Sequence, residues 1–453
     1  GSGAVARSFE GGRYAVAPAR GGQMPHSTWV LLALPQFVSS LAALPRGIGD
    51  EQINAALLTS CRNETFTAER CDAATAEFKK WREDFAIEYT TMGEVDDAVQ
   101  VWFPRFNEVV ENNAAFAEGS VTYSLRLTQY ANRPDEDELI KRTGLREADM
   151  PLEWEPQREF PPNNAADARD RERKLRKLSA TPPADREASS ADWRPWLSQV
   201  ENQAPCQSCW AFTTSAVVEG AFHLAEAKKN GMDGYPLDSL TEYGSLSEQQ
   251  LMDCNAGWEE SDGGTTCALG GSVVKALASI SKKGKMGGVS LRVDQPYLRK
   301  NGECDPSDKK RTLSCTLPNG RKADGCLSKS SNPYLCPRAS SLTPSAYTDK
   351  LMEMLEYAPV AIALYSCALP AGYASGIVTK SSYSQSCANS RVDLAVTLVG
   401  WGYDADLDLD YWTIRNSWGQ QWGESGHVRL ERTEDIAGIQ QNDPCIPLGP
   451  QEY

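Results

Sequence analysis

The pattern of apolar and polar positions divides the chain into stretches of different character. Between residues 50 and 145, runs such as AATAEFKKWREDFAIEY and DDAVQVWFPRFNEVVENNAAF place apolar residues three and four positions apart, the spacing that gives a helix one apolar face. Residues 146–190 break that rhythm. Proline pairs at Pro161-Pro162 and Pro182-Pro183 enclose the charged run ARDRERKLRKL, which predicts an exposed linker with a short helical or disordered insert. The basic run is also a candidate processing or binding site, although a solvated face explains it more simply. Beyond residue 190 the apolar runs shorten to PVAIALYS, AVTLVGWGY, YWTIRNSW and HVRLER, which predict β-strands among Gly-, Cys- and Trp-rich connections. No repeat of fixed period is visible.

The N-terminal region adds a further signal. Starting at Met24, MPHSTWVLLALPQFVSSLAALPRG is apolar between Trp29 and Pro45, and Ser40-Leu41-Ala42 fits a small-x-small cleavage site. Residues 24–45 therefore predict a signal peptide, with a buried core helix as the alternative. The stretch is short for a membrane span and no other is apolar enough, so no span is expected after signal removal. Residues 1–23 form an extension without an evident role.

Composition narrows the function classes. Of 453 residues, 41% are hydrophobic and 9% aromatic, which excludes a disordered chain. A net charge of −15, from 46 Lys+Arg against 61 Asp+Glu, argues against nucleic acid as a partner. The 13 cysteines lack zinc-site spacing and only three histidines exist (His26, His223, His427), so neither a metal nor a cofactor is expected. Such cysteine usage points to disulfides in an oxidising compartment, and the odd count leaves one free thiol.

The segment NQAPCQSCWAFTTSAVVEGAFHLAEAKK, from Asn202, carries the densest chemistry. A coil containing Pro205 leads into a helix starting near Cys209, because an apolar face runs through Trp210, Ala216, Val217 and Ala221. A thiol at a helix N-terminus faces the positive end of the dipole, where the thiolate is favoured. Gln203 could bring its amide to the same spot and, with the Cys209 N–H, form an oxyanion hole for acyl transfer. Taken alone, the Cys-x-x-Cys pair also fits a redox motif or two structural cysteines.

The same segment resembles the active-site signature of papain-like cysteine proteases (the papain and cathepsin type), and further matches follow in the family's order. SLSEQQLMDC (Ser245–Cys254) is similar to the segment after the central helix. Cys267 with Gly270-Gly271 resembles the Cys-x-Gly-Gly loop that presents backbone to substrate, with one residue inserted. RNSWGQQWGESGHVRLER resembles the block carrying the orienting asparagine. The resemblance implies Cys209 as nucleophile, Gln203 as oxyanion donor, Asn416 as the orienting residue and Trp418 as its cover. It also implies an α+β, two-lobed fold, with a helical lobe and a β-barrel-like lobe, preceded by a helical propeptide.

At one position the pattern breaks. SRVDLAVTLVGWGYD (Ser390–Asp404) resembles the family's histidine strand, retaining Asp393, Ala395, Val396, Gly400 and Gly402, but Leu394 stands where the catalytic histidine belongs. Leucine can neither accept a proton from Cys209 nor protonate a leaving amine. His223, fourteen residues along the same helix, would lie about 21 Å away along its axis. His427 falls where the family often has an aromatic residue and is expected to be exposed or on an edge strand. Without an imidazole the Cys209 pKa should return towards about 8.5.

Upstream, VWFPRFNEVVENNAAF and SVTYSLRLTQYANRPDEDEL resemble the family's inhibitory propeptide, a long helix followed by a strand near the cleft. Phe103, Val110, Leu127, Tyr130 and Ala131 fit its pattern. Its arginine and asparagine positions are not clearly kept, and Asn132 replaces an aspartate. A generic helical accessory domain is the alternative. The expected divisions are 46–145 propeptide, 146–187 linker and 188–453 peptidase domain, with mature sequence starting near ADWRPW. The resemblance further implies disulfides Cys206–Cys267, Cys254–Cys304 and, more distantly, Cys387–Cys445, since Ala437 occupies the usual partner position. Cys61–Cys71 would staple the helical region; the pairing of Cys315, Cys326, Cys336 and Cys367 cannot be read. Asn63-Glu64-Thr65 is a glycosylation sequon. The expected protein is a monomeric peptidase precursor of the secretory pathway, lysosomal, vacuolar or extracellular, with proteolysis lost or severely weakened by Leu394; the alternative is a non-catalytic pseudo-protease that binds peptides or acts as a scaffold. Its own propeptide would fill the cleft, and its partners are a peptide substrate or ligand.

Overall fold

A computed structural model describes residues 48–63, 66–134, 143–145, 190–230, 245–254, 266–280, 286, 288–304, 314–316, 322–324 and 334–447. The expected extension (1–23), signal peptide (24–45) and linker (146–187), the Asn63 side chain and the side chains of Cys315 and Cys326 lie outside the described residues.

Three helices open the fold: α1 (Asp50–Asn63), α2 (Ala68–Asp84) and α3 (Met92–Ala117). Thr67 caps α2 by accepting from Arg70 N, and Thr91 with Glu94 forms a capping box on α3, so both helices start where their first orphan N–H groups find acceptors. The apolar spacing of α3 buries Val95, Ala98, Val99, Trp102, Phe103 and Phe106 on one face. These meet Phe78 and Trp81 of α2, with Phe78 and Trp102 edge-to-face at 4.8 Å. Cys61–Cys71 ties α1 to α2. Strand β1 (Tyr123–Leu125) is held against α3 by two asparagines. Asn112 donates to Tyr123 O (2.9 Å), while Asn113 donates to Leu125 O (2.9 Å) and accepts from Leu125 N (2.8 Å). The local sequence does not single out these asparagines as the strand's seat.

The remainder forms two lobes. After β2 (Ala191–Asp192), the helical lobe consists of α4 (Cys209–Asn230), α5 (Glu248–Asp253), α6 (Thr266–Leu269) and α7 (Val273–Ile280). Short strands β3 (Ser314–Thr316), β4 (Lys322–Asp324) and β5 (Tyr334–Leu335) precede α8 (Pro344–Leu355). The β-lobe is built from β6 (Val360–Leu364), β7 (Tyr373–Val378), β8 (Leu394–Asp404), β9 (Leu409–Arg415) and β10 (His427–Glu431), with α9 (Gln385–Ala388) between β7 and β8. Strand β11 (Ile446–Pro447) closes the described chain on β5.

Among the described residues the main sheet runs β1-β7-β10-β9-β8-β2, with β6 also on β8. Residues 394–402 of β8 are all buried, as expected of a strand covered on both faces. The helical segment thus adds its strand β1 to β7 of the β-lobe, antiparallel, with Tyr123 opposite Gly376. Arg126 N donates to Gly372 O (2.7 Å) and Ile377 N to Thr122 O (2.8 Å).

Two disulfides correct the expected Cys387–Cys445 pair. Cys387 bonds Cys367, a partner 20 residues away, and Cys445 bonds Cys336. Ala437 offers no thiol, so Cys387 pairs locally, and the β5–β11 pairing sets Cys336 beside Cys445. Cys206–Cys267 and Cys254–Cys304 are also formed.

Candidate active site

Cys209 is the first residue of α4 and the free cysteine among the described residues. Its backbone position is fixed from both sides. The preceding coil is tied by the Cys206–Cys267 disulfide and by Gln207 N donating to Cys267 O (2.7 Å). The following turn buries Trp210 and Ala211 in the core. Cys209 Sγ is fully buried and accepts a hydrogen bond from Ala395 N at 3.3 Å, which joins the helical lobe to β8 across the cleft.

Leu394 is the residue before that donor. It opens β8, pairs with Leu364 of β6 and is fully buried. The position before the donor therefore carries a buried hydrocarbon side chain and no titratable group. Burial pushes the Cys209 pKa up to about 12; the Ala395 amide pulls the other way, the neighbouring Asp393 carboxylate adds to the rise, and the amides of Trp210 and Cys209 oppose it less. This overturns the expectation of a favoured thiolate or an ordinary thiol. The helix dipole is present, but exclusion from water outweighs it.

Gln203 is buried with its amide aimed into the same region. Its Nε2 donates to Cys206 O (3.0 Å) and reaches Thr143 O at 3.4 Å, and its Oε1 accepts from the Ser417 hydroxyl. Gln203 N–H donates to Ser417 O (2.9 Å), so this segment is fastened to the turn after β9. That turn begins with Asn416, buried, whose Oδ1 accepts from Ser417 N (2.8 Å) and whose Nδ2 has no hydrogen-bond partner. An orphaned amide in a buried position is uncommon and costs on the order of 1–3 kcal/mol. Trp418 lies beyond it, buried, edge-to-face with Trp422 at 4.9 Å. Thus Cys209, Gln203, Leu394, Asn416 and Trp418 are gathered around one cleft by three elements distant in sequence.

Of the histidines, only His427 has a described side chain, and it supplies no base to Cys209. The side chain of His223 lies outside the described residues. His427 is not exposed or on an edge, contrary to expectation: β10 lies between β9 and β7, and the ring is buried. Its Nδ1 faces Glu424 O (3.2 Å) and Ser425 O (3.1 Å), its Nε2 is unpartnered, and burial followed by the charges of Arg415 and Arg194 pushes its pKa down to about 4. Among the described residues no cluster of His, Cys, Asp and Glu could hold a metal, and no helix is long and apolar enough to cross a membrane.

The cleft is occupied by the chain itself. Gly144 N and Leu145 N both donate to Asp393 O (3.1 and 3.0 Å), and Gly271 N donates to Gly144 O (2.7 Å). The extended segment Thr143–Leu145, hereafter the cleft strand, is bridged at Leu145 to Gly271 and thus lies between the Gly270-Gly271 loop of one lobe and the start of β8 in the other. The propeptide fills its own cleft, and Gly271 presents backbone to it. Gly144 is not legible in the sequence, since nothing short-range distinguishes a glycine pressed against a distant loop from one in a turn.

Comparison with known proteins agrees with this geometry. The family described as "Papain family cysteine protease" matches residues 187–446. Digestive cysteine proteinase 1 of Homarus americanus is 24% identical over 379 residues, covering 83% of this chain and 95% of the lobster protein. Fruit bromelain of Ananas comosus is 27% identical over 353 residues, 77% of this chain and 80% of that protein. Among solved structures, digestive procathepsin L 3 of Tenebrio molitor larval midgut superposes with a TM-score of 0.57 at 24% identity, covering 83% of this chain and 98% of that one. The recombinant stem bromelain precursor gives 0.55 at 22% identity, covering 84% and 100%.

Proposed function

The chain belongs to the papain family of cysteine proteases, and on that premise we propose that it is a precursor disarmed at a single side chain, Leu394. Peptide hydrolysis in such a cleft needs a thiolate, a proton carrier and an oxyanion hole. Cys209 is the nucleophile by position, Gln203 with the Cys209 N–H would receive the oxyanion, and Asn416 would orient an imidazole. The observation that carries the reading is the bond from Ala395 N to Cys209 Sγ at 3.3 Å. On the family's pattern the residue preceding Ala395 would exchange a proton with the thiol, and here it is a buried leucine. The buried Asn416 supports the same reading, because its Oδ1, the atom that would accept an imidazole N–H, accepts only from Ser417 N among the described residues.

The peptidase domain would span residues 188–453, with propeptide over 46–145. Five disulfides among the described residues favour folding in the secretory pathway, behind the signal peptide proposed at 24–45. Removing one member of a nucleophile–base unit lowers turnover by about 10⁴–10⁶-fold. Hydrolysis of a fluorogenic peptide by the propeptide-free protein should therefore be lower than that of a Leu394→His variant by that order. Equal turnover by the two would overturn the reading.

A second reading, a cleft that holds peptide without cutting it, is favoured by one observation. Thr143–Leu145 is bound by its main chain to Asp393 O, Gly271 N and the Gln203 side-chain amide, and none of those bonds requires the missing imidazole.

A further inference from the structure

The strand in the cleft is gripped at its centre more tightly than hydrogen bonding requires. A methyl group built on Gly144 would lie 2.3 Å from the carbonyl oxygen of Gln207, 2.5 Å from its carbonyl carbon and 2.8 Å from its Cβ. From the other side, a methyl group on Gly270 would lie 2.1 Å from Gly144 O. Gly144 also has φ +139°, a backbone conformation that side chains rarely adopt. The closest of these contacts are with main-chain atoms, so no rotamer change relieves them. Nor can the wall retreat: Gln207 N is bonded to Cys267 O, Cys206 is cross-linked to Cys267, and the next residues open α4. The flanking position differs, since Leu145 keeps its side chain there and is only half-buried.

We propose that this cleft is a glycine-selective peptide receptor. It would hold an extended segment by its main chain, running parallel to Gly270-Gly271. At the seat between Gln207 and Gly270 it would admit only a residue without a side chain. Thr143-Gly144-Leu145 is the resident ligand, and any partner that displaces it must carry glycine at the same place. The inference rests on the reading of the cleft as a holder of peptide. Selectivity comes from three groups with distinct tasks: Asp393 O and Gly271 N fix the strand's register, and the Gln207 carbonyl excludes a β-carbon. The cleft then carries a size filter at Gln207, two residues before the thiol in the chain.

The test uses the full-length chain with Gly144→Ala and, as a control, Leu145→Ala. Hydrogen exchange of the Gly271 amide and alkylation of Cys209 by iodoacetamide report release of the strand. Both should accelerate about tenfold or more in Gly144→Ala, and stay within about threefold of wild type in Leu145→Ala. The peptide Lys-Arg-Thr-Gly-Leu-Arg should then restore protection to Gly144→Ala, whereas Lys-Arg-Thr-Ala-Leu-Arg at equal concentration should not. Wild-type protection in Gly144→Ala, or equal protection by the two peptides, would overturn the proposal. Should the alanine variant fail to fold, the same peptide pair is compared on Leu145→Pro, which loses one donor to Asp393 and leaves the seat unaltered. No readout involves bond cleavage, so turnover by the wild-type protein would defeat the disarmed-precursor reading while leaving this one standing.

Discussion

At Cys209 two opposed effects act on one sulfur. The N-terminus of α4 and three amides favour the thiolate, while complete burial disfavours it, and burial prevails with a pKa pushed up to about 12. In the propeptide-free protein, Leu394→His would provide an ion-pair partner, and the alkylation rate of Cys209 should then inflect below about pH 7, as in imidazole-paired thiols. The unaltered protein should show no inflection below about pH 8.5. His427 makes a different prediction. Its folded pKa of about 4 lies below the ordinary value of about 6.5, so the unfolded chain binds the extra proton first as pH falls. The stability it contributes is full above about pH 6.5 and lost towards about pH 4, a change of up to about 3 kcal/mol. Denaturant midpoints measured from pH 7 to pH 4 should fall less steeply in His427→Gln. At this scale the identities were legible: Cys209 at a helix start and Leu394 in a histidine's setting follow from local sequence. Burial was not, because the His427 environment is assembled by Arg194, Arg415 and the Glu424–Ser425 carbonyls, which only the tertiary fold brings together.

At the scale of elements, α3 joins the two halves of the precursor. Its first turns carry the aromatic core, and its C-terminal part presents Asn112 and Asn113 to β1. Trp102→Ala should destabilise the helical segment by about 3–5 kcal/mol, read from denaturant unfolding. Asn113→Ala leaves both the N–H and the C=O of Leu125 without their side-chain partner and should cost about 1–3 kcal/mol. It should also speed exchange of the Ile377 amide, which depends on β1 staying in place. The amphipathic period made α2 and α3 readable, and the unbroken apolar run made β8 readable. The order β7-β10-β9-β8 was not, since β10 runs parallel to β7 and pairs with it across about 50 residues of chain, as the register Arg429–Ile377 records. No local pattern encodes such a partner.

For the whole molecule, the disulfides show what long-range closure adds. Cys336–Cys445 spans 109 residues and Cys367–Cys387 spans 20. If loop-closure entropy governs, Cys445→Ser should lower stability more than Cys367→Ser by about 1.5 kcal/mol, on a loss of about 3–5 kcal/mol each. The measurement is thermal unfolding of each variant against wild type. The expected Cys387–Cys445 pair failed because sequence order does not reveal that β5 and β11 meet, whereas Cys206–Cys267 sits within a motif whose geometry is shared. Two lobes, a cleft and a helical prosegment were all legible from motif order; the glycine pressed into the cleft was not.

The pairing of β1 with β7 has one more consequence. While the prosegment is attached, the Tyr373–Gly376 side of the sheet is a finished border, its main-chain groups matched by Thr122, Tyr123 and Arg126. Cutting the prosegment away would turn that border into a bare, sticky rim, open to whatever extended chain arrives next. Maturation would then alter how the molecule keeps company as well as what it can bind. Light scattering should show the trimmed form gathering into dimers or larger particles at concentrations where the precursor stays solitary.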